Sequence, residues 1–227
     1  MTSKPTVLIF GIGPRTGNFI TNKFADAGYQ VAATGRSIEE GPIRNGWLGI
    51  KADLANPAVV TAVFAKSECV FSCSADCRCV RRYIIFLLRV STAGSCNPKP
   101  SPIEGKPPTN EGKIDQLIPF LHCVAYSSTK CDLAHPFSIP VSDLQHDLTV
   151  NIASLYAASA EAVKGSTKIL DHVSKTFIFV GNKQNHFVFP PLVSLGMGKC
   201  AAAHLMENAA KALGELPYMY VLSLLII

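Results

Sequence analysis

The chain has 227 residues, 48% of them hydrophobic, about the length of one domain and with enough apolar material for a sizeable core. Its net charge of +5 comes from scattered basic residues with no stripe of interleaved aromatics, so nucleic acid is not an expected partner. No apolar run approaches the ~20 residues of a membrane helix, and the short N-terminal run lacks the form of an export signal, so the expected location is the cytoplasm.

Thr6 to Phe10 reads as a short buried strand, continuous in its apolar residues. Gly11-Ile12-Gly13-Pro14-Arg15-Thr16-Gly17 follows it, and Gly17 to Gly28 reads as a helix. Phe19, Ile20, Phe24 and Ala27 are expected on one face of that helix, with Gly28 as its stop. A strand that turns on glycines into a helix directs backbone N–H groups and the positive helix end at an anion. The same glycines would also serve a tight turn with no ligand. A strand before, a helix after and a second strand one helix later favour the nucleotide site. The spacing G-x-G-x-x-x-G is one residue longer than the common dinucleotide fingerprint.

Gln30 to Thr34 is predicted as the second strand, ending at Gly35-Arg36-Ser37. Trp47 to Lys51 is the third, followed by Ala52-Asp53-Leu54, and Pro57 opens a helix through Ala65. This order begins a doubly wound, mostly parallel α/β sheet. In such a sheet an acidic residue after the second strand accepts from a ribose 2′-OH, whereas an arginine favours a 2′-phosphate. Here Arg36 stands in that place, no carboxylate occurs until Glu39, and Arg15 in the glycine loop can approach the same group. Two guanidinium groups on one dianion make a charge-assisted site, so NADP(H) is preferred over NAD(H). Two solvated surface arginines are the plain alternative. Asp53 suits either an acceptor for the adenine amino group, with Leu54 on the ring edge, or a helix N-cap.

The pattern breaks at about Ser67. Seven of the eight cysteines (Cys69, Cys73, Cys77, Cys79, Cys96, Cys123 and Cys131) fall between positions 69 and 131, and Pro98, Pro100, Pro102, Pro107 and Pro108 crowd the same region. Residues 67–115 therefore read as a poorly ordered insertion in a single domain spanning 1–227. The spacing C-x3-C-x3-C-x-C is not that of paired C-x2-C zinc modules, so no metal is expected, and a chain without an export signal does not call for disulfides. Leu117 to Tyr126 is a candidate strand. Pro140 to Lys164 is a predicted helix with an apolar stripe of Leu144, Leu148, Ile152, Leu155 and Ala158. Thr176 to Val180, an alanine-rich helix from Leu195 to Leu213, and a last strand from Tyr218 to Ile227 complete the pattern.

The early glycine loop, Arg36, Ala52-Asp53-Leu54, Val150-Asn151 in a long helix, Val180-Gly181-Asn182 closing a strand and Lys199 opening the next helix together resemble the short-chain dehydrogenase/reductase family. The resemblance covers roughly residues 5–66 and 137–220. It implies a single Rossmann-type domain in three α/β/α layers that transfers hydride between a nicotinamide and a small-molecule carbonyl or alcohol. The implied cofactor positions are Gly11, Gly13, Arg15, Thr16, Gly17, Arg36, Asp53, Leu54 and Lys199. Family members form dimers or tetramers through their two long helices, so a second copy of the chain is an implied partner.

The family's catalytic set is an Asn, a Ser and a Tyr-x-x-x-Lys pair, in that order. Asn151 matches the first, Lys199 the lysine, and Asn182 falls near the serine position. Four residues before Lys199 stands Leu195, which has no hydroxyl, so carbonyl reduction is expected to be impaired. A non-catalytic NADP(H)-binding sensor or scaffold is the alternative. Tyr126 to Lys130 also spells Y-x-x-x-K, but it precedes Asn151, and Pro136 and Pro140 prevent a long helix from continuing it. Tyr156, Tyr218 and Tyr220 read as core or rim aromatics, His204 as a packing or surface residue, and Ser194 as a cap of its helix. The atypical middle and a C-terminus that stops at the sixth predicted strand, before the family's substrate loop, suggest a variant or imperfectly processed product.

Overall fold

The computed structural model describes residues 4–13, 16–43, 46–72, 83–87, 135, 137–166, 176–212 and 219–224. In chain order the elements are β1 (Thr6–Phe10), α1 (Thr16–Asp26), β2 (Gln30–Gly35), β3 (Gly41–Pro42), β4 (Leu48–Lys51), α2 (Val59–Ser72) and β5 (Tyr83–Leu87). They continue with α3 (Val141–Leu148), a π-helical turn (Thr149–Ala153), α4 (Ser154–Ser166), β6 (Thr176–Asn182), α5 (Val193–Ala212) and β7 (Met219–Leu224).

The strands form one sheet in the order β3-β4-β2-β1-β5-β6-β7. Every pairing is parallel except that of the two-residue β3 with β4. The chain winds outward from β1 through β2 to β4, then returns on the other side of β1 with β5, β6 and β7. The direction of winding reverses between β1 and β5, and open α/β sheets bind ligands at such a point, outside the carboxyl ends of the strands.

A parallel sheet covered on both faces needs strands that are apolar at every position, and all of β1 is buried. Successive side chains still alternate between faces. Leu8, Phe10, Ala32, Ile50, Phe177 and Phe179 cluster with Val60 and Phe64 of α2, Leu155 and Ala158 of α4, and Ala202 and Met206 of α5. Val7, Ile9, Val31 and Ala33 cluster instead with Ile12, Ile20 of α1 and Trp47. Helices therefore cover both faces, giving the expected three-layer α/β/α Rossmann architecture.

Four local expectations need correction. Phe19 is 63% exposed, and α1 buries Gly17, Ile20 and Thr21 instead. A helix advances about 100° per residue, so the side that Gly17 brings against Ile12 excludes Phe19, which lies under the Lys23 ammonium at 5.8 Å. The helix opened after Pro57 does not stop at Ala65. It runs through buried Ser67, whose hydroxyl donates to the Phe64 carbonyl at 2.8 Å, and ends at Ser72.

The strand beside β1 is Tyr83–Leu87, inside the compositionally atypical stretch, with Ile9 opposite Phe86. Its sequence YIIFL is the continuous apolar run that a central parallel strand requires. The candidate strand at Leu117 to Tyr126 lies outside the described residues.

The long helix expected from Pro140 is split by the π turn, and its buried side carries Asp147, Val150, Asn151, Ser154 and Leu155. Leu144, Leu148 and Ile152 are only half-buried. A π turn holds an extra residue, which rotates the side chains that follow it. Ser154 closes this turn by donating its hydroxyl to the carbonyl of Leu54 and, at 3.3 Å, to that of Thr149. Among the described residues no helix is long and apolar enough to cross a membrane.

Candidate active site

The glycine loop leaves the carboxyl end of β1 at the switch point. Gly11 has φ 76°, a left-handed conformation that side chains other than glycine rarely adopt. Its N–H donates to the Thr34 hydroxyl at 3.2 Å, and the Ile12 N–H donates to the Thr34 carbonyl at 2.7 Å. Fully buried Thr34 thus ties the loop to the end of β2, and these two N–H groups serve the fold and do not point outward as expected.

Ile12 is held from two sides. A Cβ on Gly17 would lie 2.6 Å from the Ile12 Cβ, and a Cβ on Gly35 would lie 2.9 Å from its carbonyl oxygen. Glycine at both positions lets α1 and the loop pack this closely against the sheet. The first turn of α1 carries no acidic residue, so no carboxylate competes for an anion at its N-terminus. Gly13 is buried in the loop. Pro14 and Arg15 lie outside the described residues, as does the side chain of Thr16.

Arg36 is the first residue beyond β2, exposed and without an ion pair among the described residues. The neighbouring acid Glu40 is engaged by Lys66. Asp53 is exposed past β4, and its Oδ1 accepts the Ala55 N–H at 3.0 Å. It is not the cap of α2, since Asn56 stands nearer the helix start and accepts the Ala58 N–H at 3.1 Å. Leu54, expected at the adenine edge, is buried and belongs to the core cluster.

The second half of the candidate site lies where α5 meets the π turn. Lys199 is 1% exposed and sits 5.0 Å from the centre of the Phe179 ring, which offers its ammonium a cation–π contact. Asn151 is 2% exposed. Its Nδ2 donates to the Asp147 carbonyl at 2.9 Å, while its Oδ1 is buried with no hydrogen-bond partner among the described residues. A buried acceptor of this kind is normally satisfied by a water or a ligand. A Cβ on Gly198 would fall 3.0 Å from the Asn151 Cβ, so the glycine beside Lys199 is what lets the two helices come this near. The structure therefore brings Asn151 against Gly198, the residue before Lys199. Asn182 closes β6, but its side chain lies outside the described residues.

Two residues of this region carry no signal that the sequence alone makes plain. Asp147, 3% exposed, accepts the Ser194 hydroxyl at 2.6 Å across 47 positions of chain. Ser194 is thus no helix cap; it lies inside α5 and is fully buried. Asp147 could have been flagged as a carboxylate four residues before Asn151, but nothing local names its partner. Leu195, expected at the family's tyrosine position, is also fully buried, an apolar side chain packed in the core.

Other candidates fall away. Tyr156 is on the surface, His204 is exposed, and Cys200 is exposed with its thiol 3.2 Å from the Asn185 carbonyl. Tyr126, Lys130 and most of the cysteine cluster lie outside the described residues. Among those described, no group of three His, Cys, Asp or Glu side chains could hold a metal.

No family model matches the chain. It is 26% identical over 219 residues to the short chain dehydrogenase/reductase dmxR12 of Cryptosporiopsis sp. (strain 8999), covering 96% of this chain and 75% of that protein. A short-chain dehydrogenase/reductase from Serratia marcescens superposes with a TM-score of 0.63 at 17% identity, over 96% of this chain and 73% of that one. ElxO with NADP bound superposes with a TM-score of 0.62 at 17% identity, over 95% and 70%. Other structures of this fold contain NAD or NADH. The chain is thus similar in sequence to a short-chain dehydrogenase/reductase and shares the Rossmann fold of these structures.

Proposed function

We propose that the chain binds NADP(H) at the switch point and is a short-chain dehydrogenase/reductase-like oxidoreductase for a small carbonyl or alcohol, impaired at the proton-transfer step. The observation that carries the cofactor reading is Arg36, exposed and without an ion pair among the described residues, beside a glycine loop and an acid-free helix N-terminus. Arg36, joined by Arg15, would take the 2′-phosphate, for which a guanidinium fork is suited and a carboxylate is not. Gly11, Gly13, Thr16 and Gly17 would bring the backbone against the pyrophosphate, and Asp53 with the backbone at Leu54 would border the adenine.

The residues around Asn151 fit the other end of the cofactor. Lys199 would hold the nicotinamide ribose, and the Asn151 Oδ1 supplies a buried acceptor that has no partner among the described residues. Bound nicotinamide supplies the hydride chemistry. What this chain lacks at Leu195 is a hydroxyl to pass a proton to the substrate oxygen, a contribution of about 10²–10⁴ in rate for a positioned acid. Asn182, which falls near the family's serine position by resemblance, would offer an amide but no comparable proton.

The burial of Leu195 also favours the second reading, an NADP(H)-binding sensor or scaffold without turnover. Fluorescence titration with NADPH and NADH tests the binding, and a panel of aldehydes and ketones then separates enzyme from sensor. Saturable NADPH binding is the expected result. NADPH consumption that persists unchanged in Lys199→Ala contradicts the assigned site.

A further inference from the structure

The buried Asp147–Ser194 pair touches neither cofactor nor substrate in the proposed site, yet it joins the two elements that carry Asn151 and Lys199. Its hydrogen bond is short at 2.6 Å, and both side chains are withdrawn from solvent. The same aspartate anchors Asn151, whose Nδ2 donates to the Asp147 carbonyl one helical turn back. On the other helix, Gly198 meets Asn151 at the closest approach of the two backbones, and Lys199 follows it. A buried carboxylate requires such a donor, because an ionised or unsatisfied oxygen is costly away from water. The pair therefore fixes how α3 lies against α5, in rotation as well as in distance.

We infer that Asp147 and Ser194 are positioning residues for the nicotinamide half of the site, setting the place of Asn151 and Lys199 relative to each other. This rests on the NADP(H) reading and adds the prediction that the two ends of the cofactor respond differently to the pair. The bond joins α3 to α5, whereas the glycine loop follows β1 and Arg36 follows β2, so the adenosine end is expected to have no part in it.

The full chain is titrated with NADPH and with adenosine 2′,5′-bisphosphate, which has the 2′-phosphate but no nicotinamide. Ser194→Ala and Asp147→Ala are expected to weaken NADPH about tenfold while leaving the bisphosphate within about twofold, as removal of a buried charge-assisted hydrogen bond at one end requires. Asp147→Asn keeps an acceptor oxygen for Ser194 and is expected to restore most of the NADPH affinity. Equal loss of both ligands in a variant whose thermal melt is unchanged, or no loss of either, overturns the inference. Because loss of structure would abolish both, the bisphosphate titration also serves as the folding control, and Ser194→Ala carries the test where Asp147→Ala does not fold. If the unaltered chain binds neither ligand, the nucleotide reading itself falls, and the positioning role falls with it.

Discussion

The two ends of the candidate site are built from different materials. At the β1–α1 end the geometry is made by backbone: a left-handed Gly11, glycines at 17 and 35 closing on Ile12, and N–H groups bound to Thr34. At the α3–α5 end it is made by side chains that reach between helices: Asp147 with Ser194, Asn151 against Gly198, and Lys199 over Phe179. A backbone-built site survives extensive divergence provided a few glycines persist. A side-chain site does not, and on the proposed reading it is here, at the fully buried Leu195, that a proton donor is missing. Cofactor binding and catalysis can therefore part company in one fold.

The largest effect is expected from Gly17→Val. A Cβ at that position would lie 2.6 Å from that of Ile12, so the loop and α1 must separate. We expect about 2–3 kcal/mol of lost stability, as overpacking typically costs, together with loss of detectable NADPH binding. Calorimetry and titration check it, and an unchanged loop would break the contrast at its backbone end.

Leu195→Tyr sharpens the other end. If the missing hydroxyl is what limits turnover, aldehyde-dependent NADPH oxidation should rise by about tenfold or more, within the range of a positioned general acid. NADPH affinity should change little. A correctly folded variant with no gain would favour the sensor reading.

Thr34→Val should have a smaller effect. It removes the acceptor of the Gly11 N–H while keeping the side chain's shape, leaving a buried donor that costs about 1–2 kcal/mol. NADPH affinity should fall several-fold, and Thr34→Ser should recover it. Equal affinities in all three proteins would show that the loop holds its form without Thr34. Phe19→Ala should be the mildest, within about 0.5 kcal/mol by thermal melting, because the ring is on the surface.

How much could be read from the chain follows the same division. Thr6–Phe10 and Gln30–Gly35 were legible because a buried parallel strand is a continuous apolar run, and the turn between β1 and α1 because only glycine suits it. Tyr83–Leu87 is an equally apolar run, but cysteines and prolines on either side masked its place beside β1. The error at Phe19 came from taking apolar character for direction. Asn151 and Lys199 could be matched by spacing. The bonds from Thr34 to Gly11 and from Ser194 to Asp147 could not, since each joins residues 23 or 47 positions apart and leaves no local signature.

The central claim is that this chain takes NADP(H) through Arg36, whatever its competence as a catalyst. Side-by-side titration of the unaltered chain and Arg36→Leu with NADPH and NADH tests it most directly. NADPH is expected to bind more tightly than NADH to the unaltered chain, and Arg36→Leu to lose about tenfold for NADPH alone, the worth of a charge-assisted contact to the 2′-phosphate. Equal binding of both nucleotides to both proteins, or binding of neither, would contradict it.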